Sequence, residues 1–585
     1  MKNFVPSHLI LSLLPSAFCL PLLFTLILLF IPLITSKPPT KTITILETSD
    51  LHGNLMPYNY YTNQPAEWGL AKVASLIAQE RAKNPNLLLI DAGDTIQGTP
   101  LTYYYNRIDT EAVHPMAVTM NALKFDAATL GNHEFDYGTN VLSHWISQLN
   151  FPIVCANIYK SDGTSAFKPY VIKNVDGVKV GILGLITPAT SNWVPSENIA
   201  GLTFENLINT AQKYIPQMRN DGADVITIVQ HSGFSKVPKD KRLASAWLTD
   251  LQEWKETGCI PDANLTLELA QQVKDIDLIM AGHSHHDVPK VIVNNVLIAE
   301  PSFWGKALSK YTLVLERRGK KWEVIAKDST NLYVTDIEPE QKISQLSLPY
   351  HQQTLRYIDQ AIGVTKTEFY GGTKARFHQS QLSNLINQVQ IQAAEAAGYP
   401  VNISLTSIFN NTGKITPGKI TRRDVYSIYN YDNYLLVLEI NGDILRCALE
   451  KSTAYFKQVT PDNLPTIPEE VLVENSLGYN WDLYSGIDYI VDITKPEGKR
   501  ITKLQLDGKN IEPNQVLRIA INSYRANGGG GYVMFKEGKI IWQSSTEIRE
   551  FIAEYIRNKG IIESDIISSG GLQLVPDLYQ KYFGN

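Results

Sequence analysis

Short apolar runs recur along the first half of the chain, and several of them stop at a small group of polar residues. Residues 42–47 (TITILE), 87–91, 153–156, 178–186, 224–229 and 277–281 are β-branched or apolar and short. Their length and flanks predict buried strands. Residues 70–83 place Leu70, Val73, Ala74 and Ile77 at helical spacing, with charged residues opposite. Strands that alternate with amphipathic helices predict a layered α/β domain. The pattern fades near Asp336. Residues 339–362 read as a polar amphipathic helix, a connector to a second mixed α/β region that runs to about Val575. The expected division is a leader at 1–36, a catalytic α/β domain at 42–335, a linker helix at 336–362 and a C-terminal domain at 363–575. For 585 residues a prior of ~150 per domain gives about four units, and two large ones fit as well.

Composition removes some functions. Hydrophobic residues make up 44% and charged residues 19%, which is ordinary for a globular chain. The formal charge is −5, so no basic excess exists to hold a DNA or RNA polymer. A single nucleotide needs only one local pocket. The first 36 residues carry one charge, Lys2, before an apolar stretch at 9–34 that Pro15, Pro21 and Pro32 interrupt. Such a stretch is long enough to span a bilayer. An uncleaved anchor or a long signal peptide fits, and both predict export to the periplasm or cell surface. Cys155, Cys259 and Cys447 are widely spaced and odd in number, so they read as buried thiols and not as a disulfide framework. The last residues, 579–585, lack the long apolar run of a lipid-anchor tail.

The polar groups carry the chemistry. They are Asp50 with His52, Gly93 with Asp94, the run Gly131-Asn132-His133-Glu134, His231, and His283 with His285. In open α/β sheets ligands bind beyond the carboxyl ends of strands, where loops converge. Six of the 11 histidines (52, 133, 231, 283, 285 and 286) fall in or beside these groups. Carboxylate, imidazole and one amide oxygen, without thiolate, suit borderline-hard divalent metals such as zinc or manganese. Two such ions about 3.5–4 Å apart stabilise both ends of an in-line phosphoryl displacement. Asp94, with Gly93 for backbone clearance, is the candidate to be shared between them.

In order and spacing these residues resemble the calcineurin-like metallophosphoesterase family over residues 42–328. The second half extends the likeness to the 5′-nucleotidase superfamily. Residues 50–61 (DLHGNLMPYNYY), 93–100 (GDTIQGTP), 479–492 (YNWDLYSGIDYIVD) and 522–529 (NSYRANGG) resemble its 2′,3′-cyclic-nucleotide 2′-phosphodiesterase/3′-nucleotidase branch. The resemblance implies a β-sandwich core flanked by helices, then a helical linker and an α+β substrate domain. It implies two divalent ions (zinc, manganese or cobalt), one held by Asp50, His52, Asp94 and His285, the other by Asp94, Asn132, His231 and His283. His133 would lie over the phosphoryl group with Asp136 orienting its ring. Tyr431 and Tyr524 would sandwich the base, with Asn433, Gly528 and Gly529 also at the substrate.

The resemblance implies a monomer that hydrolyses 2′,3′-cyclic nucleotides to 3′-nucleotides and on to nucleosides. A 5′-nucleotidase or nucleotide-sugar hydrolase is the alternative on this scaffold, and an inactive surface binding protein is a remote one. Two departures favour the first reading. The 5′-nucleotidase branch carries a substrate-binding arginine where residues 407–413 have none, and a ribose-binding acid where this chain has Gly530. Arg376 and Asn384 are left without a role, and His286 reads as an accessory residue. His8 lies in the leader, and His114, His144, His351 and His378 match no motif. If the leader directs export, a reporter fused after Lys37 will be active only outside the cytoplasm, and an active cytoplasmic fusion would refute that expectation.

Overall fold

The computed structural model describes residues 37–240, 247, 251–257, 262–474, 476–563 and 570–584. The expected leader, Cys19 and Cys259 lie outside them. The first half contains β1 (Thr40–Thr48), α1 (Leu70–Lys83), β2 (Leu88–Asp91), β3 (Ala127–Ala128), β4 (Tyr170–Val175), β5 (Val178–Ile186), α2 (Leu207–Asn220) and β6 (Val225–His231). There follow β7 (Leu278–Ala281), β8 (Asp287–Val293), β9 (Val296–Pro301), β10 (Ala307–Arg318), β11 (Lys321–Tyr333) and α3 (Gln341–Ile358).

Two sheets form, ordered β11-β10-β1-β2-β3 and β8-β9-β7-β6-β5-β4. Alternation along each strand assigns its two faces. Ile43, Ile45, Leu88 and Ile90 of the first sheet share a core with Val180, Ile182, Val229 and Met280 of the second. Leu46 and Leu89 turn the other way, onto Leu70, Val73, Ala74 and Ile77 of α1. Leu183, Leu185 and Ile226 turn onto Leu207, Ala211 and Ile215 of α2. Each central strand is buried on both faces, so its sequence is apolar throughout. The result is four layers, helix–sheet–sheet–helix.

The run 153–156 departs from expectation. It forms only isolated bridges, Ala128 to Ile153 and Val154 to Lys168. This segment crosses between the two sheets: Val154 lies in the inter-sheet core, while Ala156 N–H donates to Gly184 C=O. A Cβ on Gly184 would meet the Val154 carbonyl oxygen at 1.9 Å, so glycine is required there. The linker is also shorter than expected. Its helix ends at Ile358, and Ala361–Thr365 is already a strand paired with Gly418–Thr421. Cys155 is buried, but Cys447 is exposed on the helix Gly442–Thr453, against the expectation of buried thiols.

The second half builds α4 (Gln381–Ala396), β12 (Ile403–Ser407), β13 (Tyr434–Asn441), β14 (Asp482–Ser485), β15 (Val516–Asn522) and β16 (Lys539–Glu547). Its main sheet runs β14-β12-β15-β13-β16, with Leu382, Leu385 and Ile386 of α4 in the adjoining core. Among the described residues no helix is long and apolar enough to cross a membrane. Ile182 is fully buried between the sheets. Ile182→Ala is expected to cost about 2–5 kcal/mol of unfolding free energy. A lower urea midpoint would show this, and an unchanged midpoint would remove Ile182 from the core.

Candidate metal centre and substrate cleft

Strand register brings the polar groups together. Thr48 pairs with Asp91, so the loops carrying Asp50 and Asp94 leave side by side. Asp50 N–H donates to Gly93 C=O at 2.9 Å and His52 N–H to Asp94 C=O at 2.8 Å. In the other sheet Gln230 pairs with Ala281, which sets His231 beside Gly282 and His283. The chain makes sharp bends to aim these side chains. Asp50, His52, Asp94, His283 and His285 all have positive φ, between 47° and 79°. Non-glycine residues rarely adopt this region, and such strain gathers at functional sites. The turns leave no room for extra atoms. A Cβ on Gly131 would lie 2.1 Å from Asp94 Oδ1, and one on Gly93 would lie 2.4 Å from Gly131 N.

Two groups of donors result. Asp50, His52 and His285 form one, and Asp94, His231 and His283 the other, each with its ligand atoms within 4.8 Å of one another. His285 Nε2 stands 3.1 Å from Asp50 Oδ1, and His231 Nε2 stands 2.9 Å from Asp94 Oδ2. Asp94 Oδ2 is also 3.8 Å from His52 Nε2, so this carboxylate faces both groups. Asn132 is buried beside Asp94: its neighbour His133 donates a backbone N–H to Asp94 Oδ1 at 2.9 Å.

Hydrogen bonds from behind fix the imidazole tautomers. His52 Nδ1 lies 3.0 Å from Gln97 C=O and His231 Nδ1 lies 2.7 Å from Ala92 C=O. A carbonyl only accepts, so both Nδ1 atoms carry a proton and both Nε2 atoms turn inward, where each can offer a lone pair once a metal ion takes the place of a proton. There His231 Nε2 meets a carboxylate oxygen and His52 Nε2 meets His285 Nε2 at 3.1 Å. Carboxylates and imidazoles that converge this closely call for positive charge among them, a proton or a metal ion. Asn132 Oδ1 and His231 Nε2 are buried without a hydrogen-bond partner. The donor set, N and O only, fits hard or borderline divalent ions.

Electrostatics agree. Burial works against the charged forms of Asp50 and Asp94, but the facing imidazoles, His231 first and then His285 at Asp50 and His133 at Asp94, together outweigh it and hold both carboxylates below their usual range. The two carboxylates in turn overcome burial and raise His231 to about 10. Burial pushes His52 down to about 4 and, with the charge of His231, His283 down to about 3. His133 differs. Burial lowers its affinity for a proton, but the Asp136 and Asp94 carboxylates outweigh that and raise it to about 10. Its Nδ1 is 2.7 Å from Asp136 Oδ2, and the ring stands 5.3 Å from that of His52.

A cleft of about 1610 Å³ runs from His52, His133 and His285 to Tyr431 and Tyr524 in the second domain. Tyr431 and Tyr524 are 40% and 42% exposed, while Tyr429 and Tyr434 are buried in the sheet core. A third ring, Tyr479, stands edge-on between the two, with centroids 6.3 Å and 6.4 Å away. Asn433 lines the same cleft. Gly529 serves its own neighbour: a Cβ there would sit 2.6 Å from the Tyr524 ring, and Gly528 supplies the positive φ that turns the loop. Arg376 lies behind the cleft and donates to Asn411 Oδ1 and Ile408 C=O, so an arginine from another helix braces the loop that lacks one. Asn384 is buried on α4, where Gln379 donates to its Oδ1.

Several supporting roles had no signal in the pattern, although Glu134 stands in the polar run 131–134 and Gln97 in the segment 93–100. Glu134 accepts N–H bonds from Asp94, Thr95, Ile96 and Gly131, so one buried carboxylate ties two ligand loops together. Asp432 accepts from Gln97 Nε2 at 2.6 Å, from Tyr137 OH and from Arg549, and Tyr434 OH donates to Asp136 C=O. The second domain thereby holds the residues that hold His52 and His133. Only the identity of Asp432, next to Tyr431, hinted at this.

Comparison with known proteins agrees. Residues 43–287 match the calcineurin-like phosphoesterase family, and residues 361–537 match the 5′-nucleotidase C-terminal domain. A 2′,3′-cyclic-nucleotide 2′-phosphodiesterase/3′-nucleotidase of Haemophilus influenzae is 30% identical over 88% of this chain and 84% of its own length. The chain belongs to the calcineurin-like phosphoesterases that carry a 5′-nucleotidase C-terminal domain. It is a metal-dependent phosphoesterase. The trifunctional nucleotide phosphoesterase YfkN of Bacillus subtilis is 31% identical over 89% of this phosphoesterase, which spans 38% of that relative's length. A solved Staphylococcus aureus structure, described as a candidate 5′-nucleotidase in complex with α-ketoglutarate, is 25% identical. It superposes with a TM-score of 0.74 and covers 91% of this chain and 100% of its own.

The fold and the two donor groups make a dinuclear divalent metal site. Removing the carboxylate charge that faces both groups should weaken both ions. Asp94→Asn is therefore expected to abolish turnover and to lower bound metal by atomic absorption. Full activity with two ions per chain would overturn this. Chelation should inactivate the wild-type enzyme, and added Mn²⁺, Co²⁺ or Zn²⁺ should restore it.

Proposed function

We propose that the phosphoesterase hydrolyses 2′,3′-cyclic nucleotides to 3′-nucleotides and then to nucleosides and phosphate. The observation that carries this reading is the single cleft shared by the donor groups and the exposed Tyr431 and Tyr524. Asp50, His52, Asp94 and His285 would hold one ion, and Asp94, Asn132, His231 and His283 the other. Bound there, the ions act as Lewis acids on the phosphoryl group and offset its charge. Tyr431 and Tyr524 would take the base between their faces, with Tyr479 closing the inner end of the slot and Asn433 beside it.

His133 is the group for proton transfer. Asp136 occupies its Nδ1, which orients the ring and leaves Nε2 for the cleft. In the first step water adds across the P–O2′ bond: its oxygen joins phosphorus, the bond to O2′ breaks, O2′ receives a proton from His133, one of the water's protons replaces it on His133, and the other stays with the phosphate. In the second step the P–O3′ bond breaks in the same way and releases the nucleoside.

The choice of cyclic and 3′-phosphates over 5′-nucleotides draws support from the named relatives and from the surroundings of Gly530. A Cβ at this position, where φ is 69°, would lie 2.3 Å from Asn480 Oδ1 and 2.5 Å from Arg525 Nη1. A ribose-binding acid has no space there. The place is held by a guanidinium that Asp482 pairs and that donates to Gly529 C=O. Substitution of Gly530 would distort the loop, so the substrate choice is tested by the substrates themselves. Export and the leader belong to the same proposal, with the apolar stretch at 9–34 as their support.

Stacking on one base is worth about 1–3 kcal/mol. Tyr431→Ala or Tyr524→Ala should cost that much in kcat/KM for 2′,3′-cyclic AMP and 3′-AMP, and should leave a small chromogenic diester unaffected. A wild-type enzyme that prefers 5′-AMP would replace this reading with a 5′-nucleotidase. His133→Asn should keep its metal and lose kcat; loss of the metal would assign His133 another role.

A further inference from the structure

The far end of the catalytic domain carries a second feature. A cleft of about 410 Å³ is lined by Lys41, Lys179, Arg219, Arg317, Lys320 and Lys321, with Asp224 as its one acid. This concentration of cations stands out in a chain whose formal charge is −5. The acid is already engaged, since its oxygens accept the N–H groups of Trp322 at 3.2 Å and Lys179 at 3.0 Å. Arg219 is paired with Asp275 and Asp277. Among the described residues Lys179, Arg317, Lys320 and Lys321 have no carboxylate partner, and all four are exposed. Lys41 Nζ lies 4.9 Å from the centroid of the Trp322 ring and Arg317 lies 6.0 Å from it, so the indole spaces the cations across the cleft.

Position gives the cleft a partner. Its residues come from the start of β1 and β5, the end of α2 and the β10–β11 turn. Asp50 and His52 follow the opposite end of β1, and Asp94, His231 and His283 lie at the corresponding ends of β2, β6 and β7, which run parallel to β1 or β5 in the two sheets. At ~3.3 Å per residue the nine residues of β1 separate the two ends by about 30 Å. The chain from the apolar stretch arrives at the cationic end, where Pro39 C=O accepts Arg317 N–H at 2.9 Å. From Ile34 to Lys41 the chain can reach at most about 25 Å. An apolar segment held in a bilayer would therefore keep this cleft at the bilayer surface.

We propose that the cationic cleft docks on the phosphate-bearing headgroups of an anionic bilayer, with the metal centre facing away from it. The docking rests on the exported, membrane-held form of the leader proposed above. Each cation near an anionic surface strengthens the contact about fivefold. The leader supplies proximity, and the cleft supplies orientation.

The test uses the full chain reconstituted into vesicles of phosphatidylcholine alone or mixed with phosphatidylglycerol, with amide hydrogen exchange read over residues 316–322. Exchange there should slow at least about fivefold in the anionic vesicles. It should return to the phosphatidylcholine rate in high salt and in the Lys320→Glu/Lys321→Glu variant, whose phosphate release should match wild type. Equal exchange in the two vesicles, or protection that survives the charge reversal, would overturn the proposal. Equal protection by soluble glycerol phosphate without vesicles would assign the cleft to a free phosphate ligand and overturn it too. Mass spectrometry of the N-terminus separates a cleaved leader from a cleft that fails to dock, and phosphate release reports on the catalytic reading independently.

Discussion

Two buried carboxylates facing four imidazoles set the terms for the whole catalytic half. Asp50 and Asp94 lie at the ends of neighbouring loops with their oxygens turned toward His52, His231, His283 and His285. Carbonyls behind His52 and His231 hold a proton on each Nδ1 and so turn each Nε2 inward. Such a cluster is repulsive unless positive charge sits inside it. The surrounding structure is arranged to hold it regardless: parallel register aligns the loops, Glu134 ties their amides, and glycines at 93 and 131 let them touch. The sandwich beneath is the rigid base on which this is possible.

The second domain contributes more than a lid. Its Asp432 meets Gln97, whose carbonyl fixes His52, and its Tyr434 meets the backbone of Asp136, whose carboxylate fixes His133. Asp432 also follows Tyr431 directly in sequence. The ring proposed to stack on a base and a carboxylate that steadies the loops around His52 and His133 are thus neighbours on one loop. Arg525 does similar work inside the domain, since it joins the Tyr524 loop to the Tyr479 carbonyl and to Asp482.

Much of this was legible in the residues themselves. The helix Leu70–Lys83 and the strand Val178–Ile186 were legible because their apolar spacing admits one conformation over that length. The polar groups at strand ends were legible because metal-ligating residue types are rare in such density. The run 153–156 misled because a crossover buried between sheets is as apolar as a strand. Glu134, Gln97 and Tyr479 stood inside the segments that carry the resemblance, but their roles and that of Asp432 were silent because those roles arise from backbone amides and contacts between distant loops, which leave no period in the sequence. Gly530 was read as an empty place, whereas Asn480 and Arg525 occupy it from elsewhere in the chain.

The five left-handed residues of the two donor groups have a thermodynamic consequence. Each bend costs of order 1–3 kcal/mol, and the unfolded chain has neither the bends nor the converging lone pairs. An ion that binds the folded centre and not the unfolded chain therefore stabilises the fold by mass action, by about 2.7 kcal/mol per site at a hundred times its dissociation constant. The resistance of this domain to unfolding is then no fixed property of its sequence. It rises and falls with the free divalent ion concentration of the compartment in which the chain resides.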